Sequence, residues 1–281
     1  MYTKDDLMNE YSKALGEVEA RLLASLASQN KLIFTIKEAQ TVTGSSMPAV
    51  HSLVSGLVKK KWLIRLVQGK YLIVPLEAGE EGEHTENWFV IAKNLIEPKP
   101  YYLSHYSALD IHEMLSQPAL TVYISSPIRR ISKQILGATF RFIFTKQEDL
   151  WGIEESWVTS TQQVKVSDLE RTIIDCLDRP DLCGGISEAA KGIWMKRNEI
   201  DYQKLVDYAK KYDKKSVIKR LGFILDIYSL GNETSLSNLK KELTSSYTLF
   251  DPSLPASGKY KSSWKVRANI EPEELIEITK T

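Results

Sequence analysis

The segment VSDLERTIIDCLDRPDLCGG, residues 166–185, concentrates side chains that could perform chemistry. Asp168, Glu170 and Asp175 are of the type that holds divalent metals in nucleases, because carboxylate oxygens are ligands that Mg²⁺ prefers. The same residues also suit a helix, since Ser167 followed by Glu170 matches the S-x-x-E capping box that satisfies free backbone N–H groups. We favour the helix and predict that these acids are structural.

The residues after this predicted cap continue the helical pattern. Arg171 and Asp175 are four apart and can pair across one turn. Pro180 and the pair Gly184-Gly185 would end the helix. The predicted inner face consists of Leu169, Ile173, Cys176 and Leu177.

A metal-dependent nuclease is the less favoured alternative. Such a site needs an acid beside a D/E-x-K motif on adjacent strands. The two matches, Asp213-Lys214-Lys215 and Glu97-Pro98-Lys99, fall in a lysine-rich helix end and a proline-bounded loop. We therefore expect no enzyme and no catalytic residue, and we infer neither a metal nor a cofactor.

Histidines and cysteines are also expected to be structural. His105 and His112 stand seven apart, which is two helical turns and too far for easy ligation of one metal. Cys176 and Cys183 fit neither a CxxC zinc site nor a disulfide framework.

Length and composition indicate two domains. The chain has 281 residues, enough for two modest cores, and a formal net charge of +1 that indicates no particular partner. The first residues lack the basic and apolar parts of a signal peptide. Because no apolar run reaches the roughly 18 to 20 residues of a membrane helix, we expect a cytoplasmic protein without membrane contact.

Residues 1–76 predict a winged helix-turn-helix. Residues 17–28 carry one apolar stripe, which predicts a first helix. Thr35 and Glu38 form a capping box for a second helix, which Gly44 closes.

A third helix and a hairpin complete this pattern. The helix is capped by Ser45 or Ser46 and carries Pro48 in its first turn. Its predicted inner face consists of Val50, Leu53, Leu57 and Val58. Residues 62–75 alternate around the Gln68-Gly69-Lys70 turn, which predicts the hairpin.

This third helix and the hairpin supply candidate DNA contacts. Small polar residues at the start of a recognition helix approach base edges, and ten Lys or Arg against six Asp or Glu in residues 1–76 suit phosphate contact. The predicted DNA-binding residues are Ser45, Ser46, Met47, Ala49, His51, Ser52, Lys59, Lys60, Lys61, Arg65, Gln68 and Lys70. Two alternatives stay open: the lysine run is a solvated helix end, or the module docks a protein.

A predicted acidic linker at 77–87, with five glutamates and two glycines, precedes a C-terminal domain at 88–281. That domain opens with a helical pattern and continues with four runs, LTVYIS, TFRFIFT, SWVTS and QVKVS, that should form a sheet. The predicted fold class is α+β: an N-terminal winged helix-turn-helix followed by a C-terminal mixed α/β domain with a small sheet and several helices.

Four segments within residues 88–270 resemble the AbiEi family of antitoxins, transcriptional regulators of abortive-infection (phage-defence) type IV toxin–antitoxin systems in bacteria and archaea. The segments are YYLSHYSALDIHEM, VKVSDLERTIIDCLDRPDLCGGISEAAKGIW, VIKRLGFILDIYSLG and LFDPSLPASGKYKSSWKVRAN. The resemblance implies an N-terminal domain that represses its own operon at inverted repeats. It also implies a C-terminal domain that neutralises a nucleotidyltransferase-type toxin without a stable complex, and no enzyme.

Residues 191–220 form a basic stretch, with ten Lys or Arg against four Asp or Glu. The candidate antitoxin or nucleic-acid surface consists of Lys191, Lys196, Arg197, Lys214, Lys215, Lys219 and Arg220. The alternative is a set of solvated helix faces. Arg220 is expected to partner Asp226, and the tail SGKYKSSWKVRAN is expected to pack rather than to bind nucleic acid.

We therefore expect an autoregulating antitoxin whose partners are operator DNA and a cognate toxin. The alternative is a plain winged-helix transcription factor whose C-terminal domain binds a ligand or a partner.

Overall fold

The computed structural model describes residues 14–74, 87–115 and 120–280. These residues form a mixed α+β fold of two compact units. The first unit comprises the described residues up to Pro98 together with Lys133–Thr139, and the second comprises the others. The predicted acidic linker lies outside the described residues except for Asn87.

The first unit combines helices with a small antiparallel sheet of order β1-β3-β2. Its elements are α1 (Glu17–Ser28), β1 (Ile33–Thr35), α2 (Ile36–Thr43), α3 (Met47–Lys59), β2 (Leu63–Val67), β3 (Lys70–Ile73) and α4 (Trp88–Ile96). Leu22, Phe34, Val50 and Leu57 are buried together in its core.

Local sequence explains where these helices begin and end. Thr35 caps α2: its side chain accepts the N–H of Glu38, whose carboxylate accepts the N–H of Thr35, so the predicted capping box is confirmed. Gly44 ends α2 with a φ of 63°, a left-handed conformation that glycine adopts without steric cost. The predicted first and third helices are also confirmed.

The sheet of this unit includes one strand, β1, that was not predicted from the sequence. The hairpin is confirmed, with Gly69 in its turn at a φ of 75°. In addition, β1 pairs with β3, and the N–H of Ile36 donates to the carbonyl of Gly69 at 2.9 Å. A strand of three residues is too short to give an alternating pattern.

Helix α4 lies at the predicted start of the second domain, but it belongs to the first compact unit. Its buried residues include Val90, Ile91 and Leu95, and the helix packs against β2. The first unit therefore includes α4 and continues to Pro98.

A six-stranded sheet of order β6-β7-β5-β4-β9-β8 follows. Its elements, with one helix, are β4 (Tyr102–Leu103), α5 (Tyr106–Ile111), β5 (Thr121–Ser126), β6 (Lys133–Ile135), β7 (Ala138–Phe144), β8 (Ile153–Trp157) and β9 (Gln163–Ser167). The predicted sheet is confirmed, but the run SWVTS was misplaced. Its strand β8 ends at Trp157, and the residues beyond it turn so that the N–H of Val158 donates to Gln162.

Helices and a second small sheet follow in the second unit. They are α6 (Leu169–Asp178), α7 (Ile186–Met195), α8 (Tyr202–Tyr212), α9 (Lys215–Ile227), α10 (Glu233–Lys240), β10 (Thr248–Leu249), β11 (Lys259–Lys261), β12 (Val266–Ala268) and α11 (Pro272–Ile278). Trp264 is fully buried beside Gly222, where a Cβ would overlap the indole ring. None of the helices in the described residues combines the length and the hydropathy that spanning a membrane requires.

Candidate nucleic-acid interface

Helix α3 turns one face into the core of the first unit and the other outward. Val50, Val54 and Leu57 are buried at helical spacing. The exposed residues of the helix are Pro48, Ala49, His51, Ser52, Ser55 and Lys59. Ser55 was not among the predicted contacts, although its spacing from Ser52 and Lys59 places it on the same stripe.

The connection between α2 and α3 presents the start of α3. The N–H of Gly44 donates to the carbonyl of Gln40 at 2.9 Å, which closes α2. Ser46 then adopts an extended conformation before α3, and its exposed hydroxyl makes no capping bond. Ser45 and Met47 are half-buried. Ser46 is therefore free to meet a partner, whereas its two neighbours are only partly accessible.

Lys60 differs from the lysines beside it because it has an internal partner. Its Nζ lies 2.6 Å from Oε2 of Glu19, whose side chain is 12% exposed. A phosphate contact by Lys60 would have to compete with this pair.

Lys59 and Lys61 are exposed at the end of α3. Lys61 has a φ of 62°. Its N–H donates to Val58 and the N–H of Trp62 donates to Leu57, which is the hydrogen-bond pattern of a Schellman motif with lysine at the position that usually holds glycine. Both ammonium groups remain available for phosphates.

The hairpin exposes Arg65 and Gln68, while Lys70 is half-buried. The pairing of β2 with β3 is irregular between Arg65 and Val67. Lys133 donates to the carbonyl oxygens of Arg65 and Leu66 at 2.8 and 2.6 Å. Burial lowers the pKa of Lys133, and the charge of Arg65 lowers it further. Lys133 thus holds β2 from a distant part of the sequence, so no local pattern could have identified it.

In the second unit, the helix of residues 166–185, the acidic segment, begins at a different cap from the one predicted. Asp168 caps α6 by accepting the N–H of Arg171 at 2.8 Å, so the Ser167 capping box was wrong. Ser167 ends β9, and its hydroxyl lies 2.7 Å from Oγ1 of Thr172. Glu170 instead accepts the N–H of Asp201 at 2.9 Å. Because the strand extends through Ser167, the helix starts one residue later.

The predicted pair of Arg171 and Asp175 is confirmed. Arg171 Nε lies 2.8 Å from Asp175 Oδ1, and the two side chains are 1% and 2% exposed. The guanidinium lies 4.0 Å from the centre of the Trp151 ring, and Tyr102 donates to Asp175 at 3.1 Å. Burial lowers the pKa of Arg171, but Asp175 and Tyr102 raise it more, so the net pKa is above its usual range.

Helix α8 supplies partners for the other acids of α6. Lys204 bridges Asp168 at 3.2 Å and Glu170 at 2.7 Å. Tyr212 donates to Asp178 at 2.8 Å. No group of three or more His, Cys, Asp or Glu suited to a metal ion occurs in the part of the chain that the structure describes. The acidic segment is a helix-packing network.

Most cations predicted for the 191–220 surface also have internal partners. Lys214 lies 2.7 Å from Asp178. The other partners are Glu199 for Lys196, Glu242 for Lys215 and the Trp194 ring for Arg197. Lys191 is half-buried. Lys219 and Arg220 are 1% and 5% exposed, so these two are not surface residues.

Arg220 does not pair with Asp226, which is exposed. Its guanidinium donates instead to the carbonyl oxygens of Leu177 at 2.8 Å and Phe250 at 3.0 Å. Six residues correspond to about 240° around a helix, so the two side chains leave α9 on different faces.

The two histidines lie at opposite ends of α5 and enter different networks. His105 Nδ1 is 2.8 Å from the hydroxyl of Ser104, and burial lowers the pKa of this histidine. His112 Nε2 is 2.7 Å from the carbonyl of Ser167. Cys176 and Cys183 are buried free thiols, and burial raises the pKa of Cys183.

An open pocket of about 450 Å³ lies beside His112. Its carboxylates include Asp168 and Glu170, which Lys204 already bridges, and Glu113 and Glu199, which lie near Lys196. With Glu154 the pocket is lined by five carboxylates and two lysines, so negative charge is in excess there.

Comparison with known proteins finds a similar fold. The chain is similar to the RV2827C protein from Mycobacterium tuberculosis in its crystal structure, with a TM-score of 0.71 and 13% sequence identity over 96% of this chain and 97% of that chain. No family model and no curated protein matches the sequence. At this identity the likeness shows the fold alone.

Proposed function

We propose that this chain is a DNA-binding transcriptional regulator and antitoxin of the AbiEi type, which represses its own operon and neutralises a cognate nucleotidyltransferase-type toxin. The exposed start of α3, presented by the turn at Gly44, is the observation that carries the DNA-binding part. The antitoxin part rests on the sequence resemblance within residues 88–270.

In this proposal the first unit is a winged helix-turn-helix, with α3 as the recognition helix and β2-β3 as the wing. Support comes from the order α1-β1-α2-α3-β2-β3 and from the three-stranded sheet. Ser46 and Ser52 would face base edges in a major groove. Lys59, Lys61 and Arg65 would neutralise phosphates, which supply affinity but no sequence information.

The proposal is tested by titrating the full chain against the DNA upstream of its own gene, with an unrelated duplex as competitor. A specific shift that weakens with added salt supports autorepression. No preference for any such duplex would contradict the DNA-binding part.

The antitoxin part needs a separate test. A nucleotidyltransferase-type toxin gene is first sought next to this gene and is then co-expressed with the chain, and cell growth is measured. Rescue of growth supports neutralisation. Specific operator binding without rescue would leave a plain transcription factor.

A further inference from the structure

In the C-terminal sheet of order β10-β12-β11, the central strand β12 buries one side and leaves the other side partly accessible. Trp264, Val266 and Ala268 alternate along the chain and are buried in the core of the second unit. Arg267 lies between Val266 and Ala268 on β12 and therefore points to the opposite side. Lys265 lies in the turn before β12, with a φ of 54°, and is placed by its contact with the Tyr247 ring.

Two tyrosines share this outer face with the cations. Tyr260 on β11 is opposite Arg267 on β12, and Tyr247 directly precedes β10. The two rings meet edge to face with centroids 4.9 Å apart. Lys265 lies 5.5 Å from the Tyr247 ring, and Arg267 lies 5.4 Å from the Tyr260 ring. The tyrosines remain 41% and 61% exposed, so each ring keeps surface for a further contact.

The charges around these rings are not compensated. Lys265 and Arg267 lie on the side of the rings, whereas Lys259 and Lys261, which flank Tyr260 on β11, are paired with Ala268 and Val266 and so point to the other side of the sheet. Residues 243–269 contain a single carboxylate, Asp251, which is buried and accepts the N–H of Ile186 at 2.9 Å. Among the ion pairs of the described residues, none involves Lys259, Lys261, Lys265 or Arg267. The 191–220 stretch differs, because carboxylates there already hold Lys196, Lys214 and Lys215.

We propose that this face, formed by Tyr247, Tyr260, Lys265 and Arg267, binds single-stranded nucleic acid. Unpaired bases stack on exposed aromatic rings whatever their sequence, and cations beside the rings neutralise the phosphates. A duplex is the poorer ligand, because its base faces are already stacked on each other. The site lies on residues of the second unit and does not depend on the proposed operator binding by α3.

The test uses the full chain and a fluorescein-labelled 12-nucleotide single strand of mixed sequence, with binding followed by anisotropy. Tyr260→Ala is expected to weaken binding about fivefold or more, the usual loss for one base–aromatic stack. Tyr260→Phe keeps the ring and should keep the affinity. Trp157→Ala is the matched control, because Trp157 is an exposed aromatic residue of β8, 63% exposed against 61% for Tyr260.

To distinguish single-strand binding from duplex binding through the first unit, the titration is repeated with a double variant that carries Lys59→Ala and Lys61→Ala. The single-strand affinity should persist in this variant and should still fall when Tyr260→Ala is added. Three results would overturn the proposal: no binding of the single strand, equal affinity for wild type and Tyr260→Ala, or an equal loss of duplex and single-strand affinity on removing the ring.

Discussion

Lys60 and Glu19 form a 2.6 Å ion pair that joins the end of α3 to the first turn of α1. The same Glu19 oxygen accepts the N–H of Gly16 at 2.8 Å. Burial raises the pKa of Glu19, but the hydrogen bonds from Lys60 and Gly16 lower it more, and the net pKa is below its usual range. The helix proposed to contact DNA is thus anchored by a carboxylate that must stay ionised.

Glu19→Gln should therefore destabilise the protein by about 1 to 2 kcal/mol at pH 7. A lowered folded-state pKa gives stability that is present above the unfolded pKa, near 4.3, and is lost as pH falls through the folded value. The difference between wild type and variant should shrink below about pH 4. Chemical unfolding at pH 7 and pH 3.5 measures it, and an unchanged difference would contradict this account.

Lys61→Gly should separate the effect of the Lys61 charge on duplex binding from the effect of its backbone conformation on stability. Its positive φ is costly for lysine and not for glycine, so the variant should gain about 1 kcal/mol of unfolding free energy. Removing an exposed cation should still weaken duplex binding and reduce the salt slope by about one. Lys280→Ala, which removes an exposed cation just beyond α11, serves as the control and should leave the slope unchanged.

Ser46→Ala and Lys59→Ala should act on different properties of DNA binding. The Ser46 hydroxyl makes no capping bond, so its loss should spare the fold and reduce discrimination between operator and unrelated duplex. Lys59→Ala should weaken binding to both duplexes alike. Competition gel shifts measure the ratio, and equal loss of discrimination from the two substitutions would be evidence against these roles.

Asp175→Asn should destabilise the second unit strongly. The change leaves Arg171 buried without its counter-charge, which typically costs about 3 kcal/mol. Asp181→Asn is the matched control, because its pair with Arg179 is 46% exposed on both sides and should contribute less than about 1 kcal/mol. Thermal unfolding measures both variants, and equal effects would show that burial does not set the strength of the pair.

Sequence reasoning succeeded where partners lie within one or two turns of each other. The Thr35–Glu38 capping box and the Arg171–Asp175 pair depend on spacings of three and four residues, which the helix itself sets. The same reasoning fails for Arg220, because its carbonyl partners at Leu177 and Phe250 come from distant segments.

Counting charges along the chain also predicted poorly which cations are exposed and free of a carboxylate partner. It favoured residues 191–220, yet Asp178 and Glu242, which hold Lys214 and Lys215, lie outside that stretch. It undervalued Tyr260, because only the sheet register shows which face of the tail is exposed.

Gly222 and Trp264 have a consequence for how this sequence can diverge. A single methyl group at 222 has no space while the indole ring fills the site. Alanine can enter position 222 only after a smaller side chain has replaced the tryptophan. We therefore expect the two positions to change together among related proteins, and a mutational scan should show Gly222→Ala tolerated only in a Trp264→Leu background.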